Sequence, residues 1–200
     1  AAYVPIDISG EFLRASAAAL AEDFPKLRIA PLEADFTQPI APPAEIARLP
    51  KLGFFPGSTI GNMVPRTAVN LLRAMVETLG LGALLLIGMD RAKSPDILIP
   101  AYDDAQGVTA RFDLNLLHRI NRELDADIPV DAFRHRARWN DDQGRIEMHL
   151  EAVRDCAFSI EGTRFSMRAG ETIHTENSHK YTPREARLLL RAGAWTPIGE

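Results

Sequence analysis

The chain has 200 residues, 46% of them hydrophobic and 25% charged, and a net charge of −4. That length suits one domain and part of a second, with a substantial core, and the composition is that of an ordinary globular protein. The slight acidic balance gives no electrostatic case for nucleic acid or an anionic membrane surface, and the apolar run 81–89 is far too short to cross a bilayer.

In chain order, Tyr3-Val4-Pro5-Ile6-Asp7-Ile8 reads as a strand. Ser9 is placed to cap a helix running to about Phe24 through Phe12, Leu13, Ala19 and Leu20. Residues 27–32 predict a second strand, ending near Ala34-Asp35-Phe36, and Pro39, Pro42, Pro43 and Pro50 punctuate a loop. Residues 52–55 predict a buried strand, followed by a small-residue turn, Pro56-Gly57-Ser58-Thr59-Ile60-Gly61-Asn62. Pro65 then opens a helix carried by Ala68, Val69, Leu71, Leu72, Met75, Val76 and Leu79 and closed by Gly80. The glycines of the turn let backbone approach a ligand, and Asn62 offers both a donor and an acceptor. A well-formed strand-to-helix turn with nothing bound is the plainer alternative. The strand 83–89 ends near Asp90. Strand and helix alternate over residues 1–90, which predicts an α/β fold with a parallel, doubly wound sheet, whose ligands sit beyond the carboxyl ends of the strands.

The pattern then changes. Residues 94–105 and 111–124 predict two helices, the second carrying Phe112, Leu116, Leu117, Ile120 and Leu124. From Ala132 the period becomes two: Phe133, His135, Ala137 and Trp139 alternate with Arg134, Arg136 and Arg138. Asp142-Gln143-Gly144 makes a turn and Ile146, Met148 and Leu150 alternate again; 157–160 and 164–167 continue the meander across Glu161-Gly162. Thr182 opens a last helix through Ala186, Leu189 and Leu190, closed by Gly193, and Trp195-Thr196-Pro197-Ile198 reads as the start of a further strand. Two domains are expected, 1–92 with 181–200 forming the doubly wound part and 93–180 an inserted α+β part.

Asp7 and Asp35 each stand where a parallel strand is predicted to end, where an acid can accept hydrogen bonds from ribose hydroxyls. A helix cap or solvated loop acid is the plainer reading of each. The run 101–107 lacks the spaced oxygen ligands and terminal Glu of a calcium loop. Tyr102 within it can donate its hydroxyl to a substrate carboxylate or simply pack. The dense polar run His174-Thr175-Glu176-Asn177-Ser178-His179-Lys180-Tyr181 is costly to bury unpaired. On composition it reads as an exposed loop; in an extended backbone Glu176 and Ser178 would point to one side. The histidines 118, 135, 149, 174 and 179 show no zinc spacing, so no metal is expected, and neither a nucleophile elbow nor a P-loop is present. Cys156 is the single cysteine, reads as an inert core thiol, and fits a reducing, cytoplasmic setting.

Together, Tyr3–Ser9, Ala34-Asp35-Phe36-Thr37, Phe55–Asn62, Ala101-Tyr102, Gly107-Val108-Thr109-Ala110, Arg145–Leu150 and His174–Tyr181 resemble the histidine-specific S-adenosylmethionine-dependent methyltransferases, in order and across essentially the whole chain. The resemblance implies a Rossmann-like methyltransferase sheet with an inserted substrate-binding domain. It implies trimethylation of the α-amine of L-histidine to hercynine, the first step of ergothioneine synthesis, with S-adenosylmethionine as cofactor. A monomer acting on this small molecule, with no nucleic-acid or membrane partner, is expected. Asp7 matches the family acid that holds the cofactor's ribose, and Asp35 with Phe36 the pair that takes its adenine. Asn62 and Tyr102 match residues that grip the substrate's amino-carboxylate end, at the reacting centre. Glu176 and Ser178 match those that bind the imidazole, with Met148 lining that pocket and Asn177 counted on the substrate side. Family members carry a further sheet strand and glycine-rich cofactor loop before the equivalent of Tyr3. The chain is therefore expected to be an internal fragment of a protein of roughly 300 residues, a two-domain size. A relative acting on another amino acid, or an inactive binding module, is the rival reading.

Overall fold

Parallel strands need a crossover long enough to hold a helix, and the first ninety residues supply such crossovers. The computed structural model describes residues 1–44 and 46–200. The chain divides into two compact units, one of Ala1–Thr59, Val64–Gly88 and Pro183–Glu200, the other of Ile60–Met63 and Met89–Thr182.

The first unit begins with β1 (Ala2–Tyr3), β2 (Ile6–Asp7), α1 (Gly10–Asp23), β3 (Arg28–Ile29) and β4 (Leu32–Glu33). The strands predicted over 3–8 and 27–32 are each split in two, at Val4-Pro5 and Ala30-Pro31, because proline has no N–H to give a ladder. β1 pairs in parallel with β3, and β2 with β4. Ser9 stands at the N-cap of α1, but its side chain makes no capping bond. Its backbone N–H instead donates to Asp7 Oδ1 at 2.8 Å. β5 (Leu52–Phe55) and β6 (Leu84–Ile87) form a third parallel pair, joined through α2 (Pro65–Leu79). Of the predicted stripe, Ala68, Leu71 and Leu72 are buried in α2, joined by Ala74, and Gly80 ends the helix at φ 87°.

The second unit contains α3 (Pro95–Tyr102), α4 (Val108–Glu123), β7 (Phe133–Asn140), β8 (Arg145–Ala152), β9 (Cys156–Ile160), β10 (Thr163–Met167) and β11 (Thr172–His179). α4 starts three residues before the predicted 111. There Gly107 takes the left-handed conformation at φ 64°, and Asp104 accepts the N–H groups of Val108 and Thr109 at 2.9 and 2.8 Å. Those bonds, from Thr109 and Val108, hold the Asp104 carboxyl down at about 2. β11, β8 and β7 form an antiparallel sheet in that order, and β9 and β10 a hairpin. One face of the sheet carries the core: Leu117, Ile128, Ala132, Phe133, Leu150, Ala152 and Phe158 in one cluster, and Leu98, Ala137 and Ile146 in another. Leu117, Ile146 and Leu150 are fully buried; such side chains stabilise by about 1.5–3 kcal/mol each. On the opposite face Arg134, Arg136 and Arg138 converge on Glu151.

The polar run at 174–181 is therefore not the exposed loop its composition suggests: it is mostly β11, with Ser178, His179 and Lys180 buried. The chain then returns to the first unit as α5 (Pro183–Ala192). Trp195 starts no strand. Its backbone N–H donates to Leu190 O and its indole to Leu72 O, each at 2.9 Å, and Pro197 has no N–H to offer.

Candidate functional site

β5 ends in a turn whose Gly57 and Ser58 both have positive φ, 75° and 58°. The first favours glycine and the second is unusual for any other residue. Gly88, just past β6, lies so close beneath the turn that a Cβ there would meet Gly57 N at 3.2 Å. From this turn a 3-10 helix, Thr59–Asn62, leads to Asn62. The Asn62 amide donates from Nδ2 to Glu176 Oε1 at 2.7 Å. Both residues belong to the second unit, although 114 positions separate them. One residue back, the Gly61 carbonyl lies 2.8 Å from His179 Nδ1.

Glu176 reaches that position through a β-bulge. In β11 His174 pairs with His149, yet Glu176 pairs with Met148, so the register shifts across Thr175. Regular alternation would put His174 and Glu176 on one face. The extra residue reverses the parity, leaving His174 on the outer face and Glu176 and Ser178 on the inner one with Met148 and Ile146. Thr175 Oγ1 holds the bulge by donating to Met148 O at 3.0 Å. Burial pushes the Glu176 carboxyl up, and the nearby charge of Asp113 adds to the effect.

Beside Glu176, the hydroxyls of Tyr102 and Ser178 lie 2.9 Å apart. Lys180, wholly enclosed, points its ammonium at Tyr102 OH (2.6 Å), Ser178 Oγ (2.7 Å) and Asp90 Oδ2 (2.9 Å). The same nitrogen sits 4.5 Å from the centroid of the Tyr102 ring. Burial opposes ionisation of Asp90, but bonds from Lys93 and Lys180 outweigh it and hold that carboxyl below the usual range. Tyr102 is anchored from behind as well. Its carbonyl lies 2.7 Å from His135 Nε2, whose Nδ1 lies 2.8 Å from Asp113 Oδ2, both side chains being buried. With an acceptor against each ring nitrogen, this relay ties the end of α3 to β7 and α4.

The structure thus gathers Asn62, Tyr102, Glu176, Ser178 and Met148 in one unit. Asn177 falls on the opposite face, paired with Glu147. Lys180, Asp90, Asp113 and His135 escaped the sequence reading as site residues. The signal for Lys180 was parity, since 176, 178 and 180 share a face in an extended strand. The outer face also collects Glu147, His149 and His174, whose ligand atoms lie within 4.8 Å of one another. The two rings stack at 4.7 Å with 15° between their planes. Nearly parallel rings do not converge their lone pairs on one tetrahedral ion, and Glu147 is already bonded by Arg145.

In the first unit, Asp7 and Asp35 lie at the same end of the β2–β4 pair, since Asp7 pairs with Glu33 in parallel register. Asp35 Oδ1 accepts the backbone N–H and hydroxyl of Thr37 at 2.9 and 2.7 Å, which holds its carboxyl below the usual range. Among the described residues these local bonds use only the Oδ1 atoms, so each acid keeps Oδ2 for an incoming hydroxyl or amine. Phe36 packs edge-on against Phe55, centroids 5.7 Å apart. Two acceptors and an aromatic at one strand end fit a nucleoside.

A family described as histidine-specific methyltransferase, SAM-dependent, matches residues 1–199. A histidine N-alpha-methyltransferase of Mycolicibacterium smegmatis is 40% identical over 210 residues, covering 99% of this chain and 64% of that protein. One of Mycobacterium tuberculosis is 39% identical over 195 residues, covering 95% of this chain and 59% of its own length. Ergothioneine biosynthesis protein 1 of Schizosaccharomyces pombe is 24% identical over 138 residues, 68% of this chain and 18% of that protein. The chain spans about three-fifths of the length of the two bacterial relatives. By the near-complete match to the family, the chain belongs to the histidine-specific, SAM-dependent methyltransferases.

Proposed function

We propose that the full-length gene product transfers methyl groups from S-adenosylmethionine to the α-amine of L-histidine, up to three times, giving hercynine. The observation that carries the reading is the shared inner face of Glu176 and Ser178, with Asn62 bonded to the first and Tyr102 to the second. A carboxylate and a hydroxyl side by side suit the two nitrogens of an imidazole. We read residues 1–92 with 181–200 as a Rossmann-like cofactor domain and 93–180 as an inserted substrate-binding domain. The parallel pairs of the first unit and the antiparallel sheet of the second support that division.

In this reading Asp7 takes the cofactor's ribose and Asp35 with Phe36 its adenine. Bound S-adenosylmethionine supplies an electrophilic sulfonium methyl. The protein's own task is to hold a neutral amine in line and keep water away, where positioning alone contributes up to about 7–11 kcal/mol. Asn62 gives one of its two amide N–H groups to Glu176, which fixes the amide plane, and its carbonyl oxygen can then accept an amine N–H and orient the nitrogen lone pair. Tyr102 steadies the amino-carboxylate end, while Met148 lines the ring pocket. A site that leaves a polar group unpaired rejects an analogue strongly, so Glu176 disfavours side chains with no N–H to give.

Mass spectrometry of histidine incubated with the full-length gene product and S-adenosylmethionine tests this. One to three added methyl groups, located on the α-nitrogen by fragmentation, are expected. Methylation of a ring nitrogen, or no transfer, would overturn it.

A further inference from the structure

Lys180 takes no direct part in the chemistry above, yet its ammonium is placed with three acceptors and no exposure. Three bonds, to Tyr102, Ser178 and Asp90, use all three of its N–H groups. The consequence falls on the hydroxyl pair. Each oxygen already accepts a hydrogen from a cation, so each is a poorer acceptor and a better donor than a free hydroxyl. In the absence of substrate one hydroxyl hydrogen lies between the two oxygens, 2.9 Å apart, and the other is unspent. Across the pocket the polarity is opposite. Glu176 is a carboxylate with one oxygen taken by Asn62 and the other left to accept.

We propose that Lys180 is a positioning residue that fixes the protonation state of the bound substrate: by polarising Tyr102 and Ser178 into donors, it makes the pocket take histidine with a neutral ring, N–H toward Glu176 and bare nitrogen toward Ser178. Ser178 Oγ keeps one lone pair beside the bond from Lys180, but an imidazolium N–H placed on it would set a second cation against the enclosed ammonium, whereas a bare nitrogen accepts the hydroxyl's own hydrogen. This rests on the reading that histidine is the substrate. Asp90, before α3, is shared between Lys180 and Lys93. Asp113 of α4 faces His135 of β7 and adds to the burial that raises Glu176 on β11. His179, also on β11, stays below its usual range through burial, with Arg145 and Lys180 adding to that. None of these places a carboxylate on the bare-nitrogen side other than Asp90, which Lys180 already occupies.

The test is nitrogen NMR of ring-15N-labelled histidine bound to the full-length gene product between pH 5.5 and 7.5. Free histidine titrates in this window, its ring having an ordinary value near 6.5. One pyrrole-type and one pyridine-type signal at every pH is expected, together with an affinity that falls about tenfold per pH unit below the free ring's value. In Lys180→Met the bound ring should titrate again and the pH dependence of affinity flatten, a change that a merely structural lysine would not produce. Two pyrrole-type signals from the wild-type complex would show a bound imidazolium and overturn this role for Lys180, leaving the substrate assignment standing. Absence of any bound histidine would remove both. Where Lys180→Met does not fold, Tyr102→Phe with Ser178→Ala, which removes the oxygens that Lys180 polarises, should give the same renewed titration. An unchanged neutral ring there would overturn the role.

Discussion

The surroundings of Glu176 disfavour its charged form. Burial and Asp113 raise its folded-state value above the ordinary 4.5. A raised acid favours folding below its unfolded value, and that contribution is lost as pH rises through the folded one. Glu176→Gln removes the charge and keeps an oxygen to accept from Asn62. Its thermal midpoint should exceed the wild type's at pH 7.5 and equal it near pH 4. Histidine affinity should fall by about 1.5–3 kcal/mol, roughly 10- to 150-fold, through loss of a charge-assisted bond. Calorimetric melts and titrations check both limbs; a mutant that is less stable at pH 7.5 would sink the sign. The shared side of Glu176 and Ser178 was legible from their spacing. The burial of Lys180 was not, because a lysine in a polar run reads as solvated, and its partner Tyr102 lies 78 positions away. Asp113 and His135 were hidden likewise: each reads as an ordinary helix or strand residue until the fold sets them 2.8 Å apart.

At the level of elements, the helices and the antiparallel strands β7 to β10 were read well, since their periods of 3.6 and 2 carry through each segment, whereas β11 read as a loop because its residues are mostly polar. α2 runs over the predicted Pro65–Leu79, and Phe133, His135 and Ala137 take the buried face of β7. The short parallel strands were read too long, because two prolines interrupt runs that are otherwise apolar. The bulge at Thr175 left no trace in the residue types. Without that residue, His174 and Glu176 would be consecutive and would still pair with His149 and Met148. Deleting Thr175 should therefore give a folded, straighter β11 that no longer aims Glu176 correctly. A displacement of about 1 Å at a reacting site can cost on the order of 100-fold, and kcat/KM for histidine should drop by that order with the circular dichroism spectrum unchanged. Full activity in the deletion would make the bulge ornamental.

For the whole molecule, acid is the expected weak point. Burial opposes ionisation of Glu147, but Arg145, Asn140 and His149 bond it and bring it to about 2. Arg134 and Arg136 bring Glu151 to about 2. Both depressions lend stability above the ordinary 4.5 that is lost as pH falls toward 2. His149 and His179 are lowered from 6.5, chiefly by burial, and their contribution drains earlier, from about pH 6.5 downward. Thermal melts across pH should fall in two stages, gently below 6.5 and steeply below 4.5; a midpoint constant from 7 to 4 would contradict this. The bond between Asn62 and Glu176 also has a schedule. During synthesis Asn62 emerges 114 residues ahead of its partner, and at about 5–20 residues per second that is a wait of roughly 6–23 s. The Gly61 carbonyl waits longer still for His179, 118 residues on. A nascent chain interrupted anywhere in that interval carries the turn at residues 59–62 but not the strand that completes it.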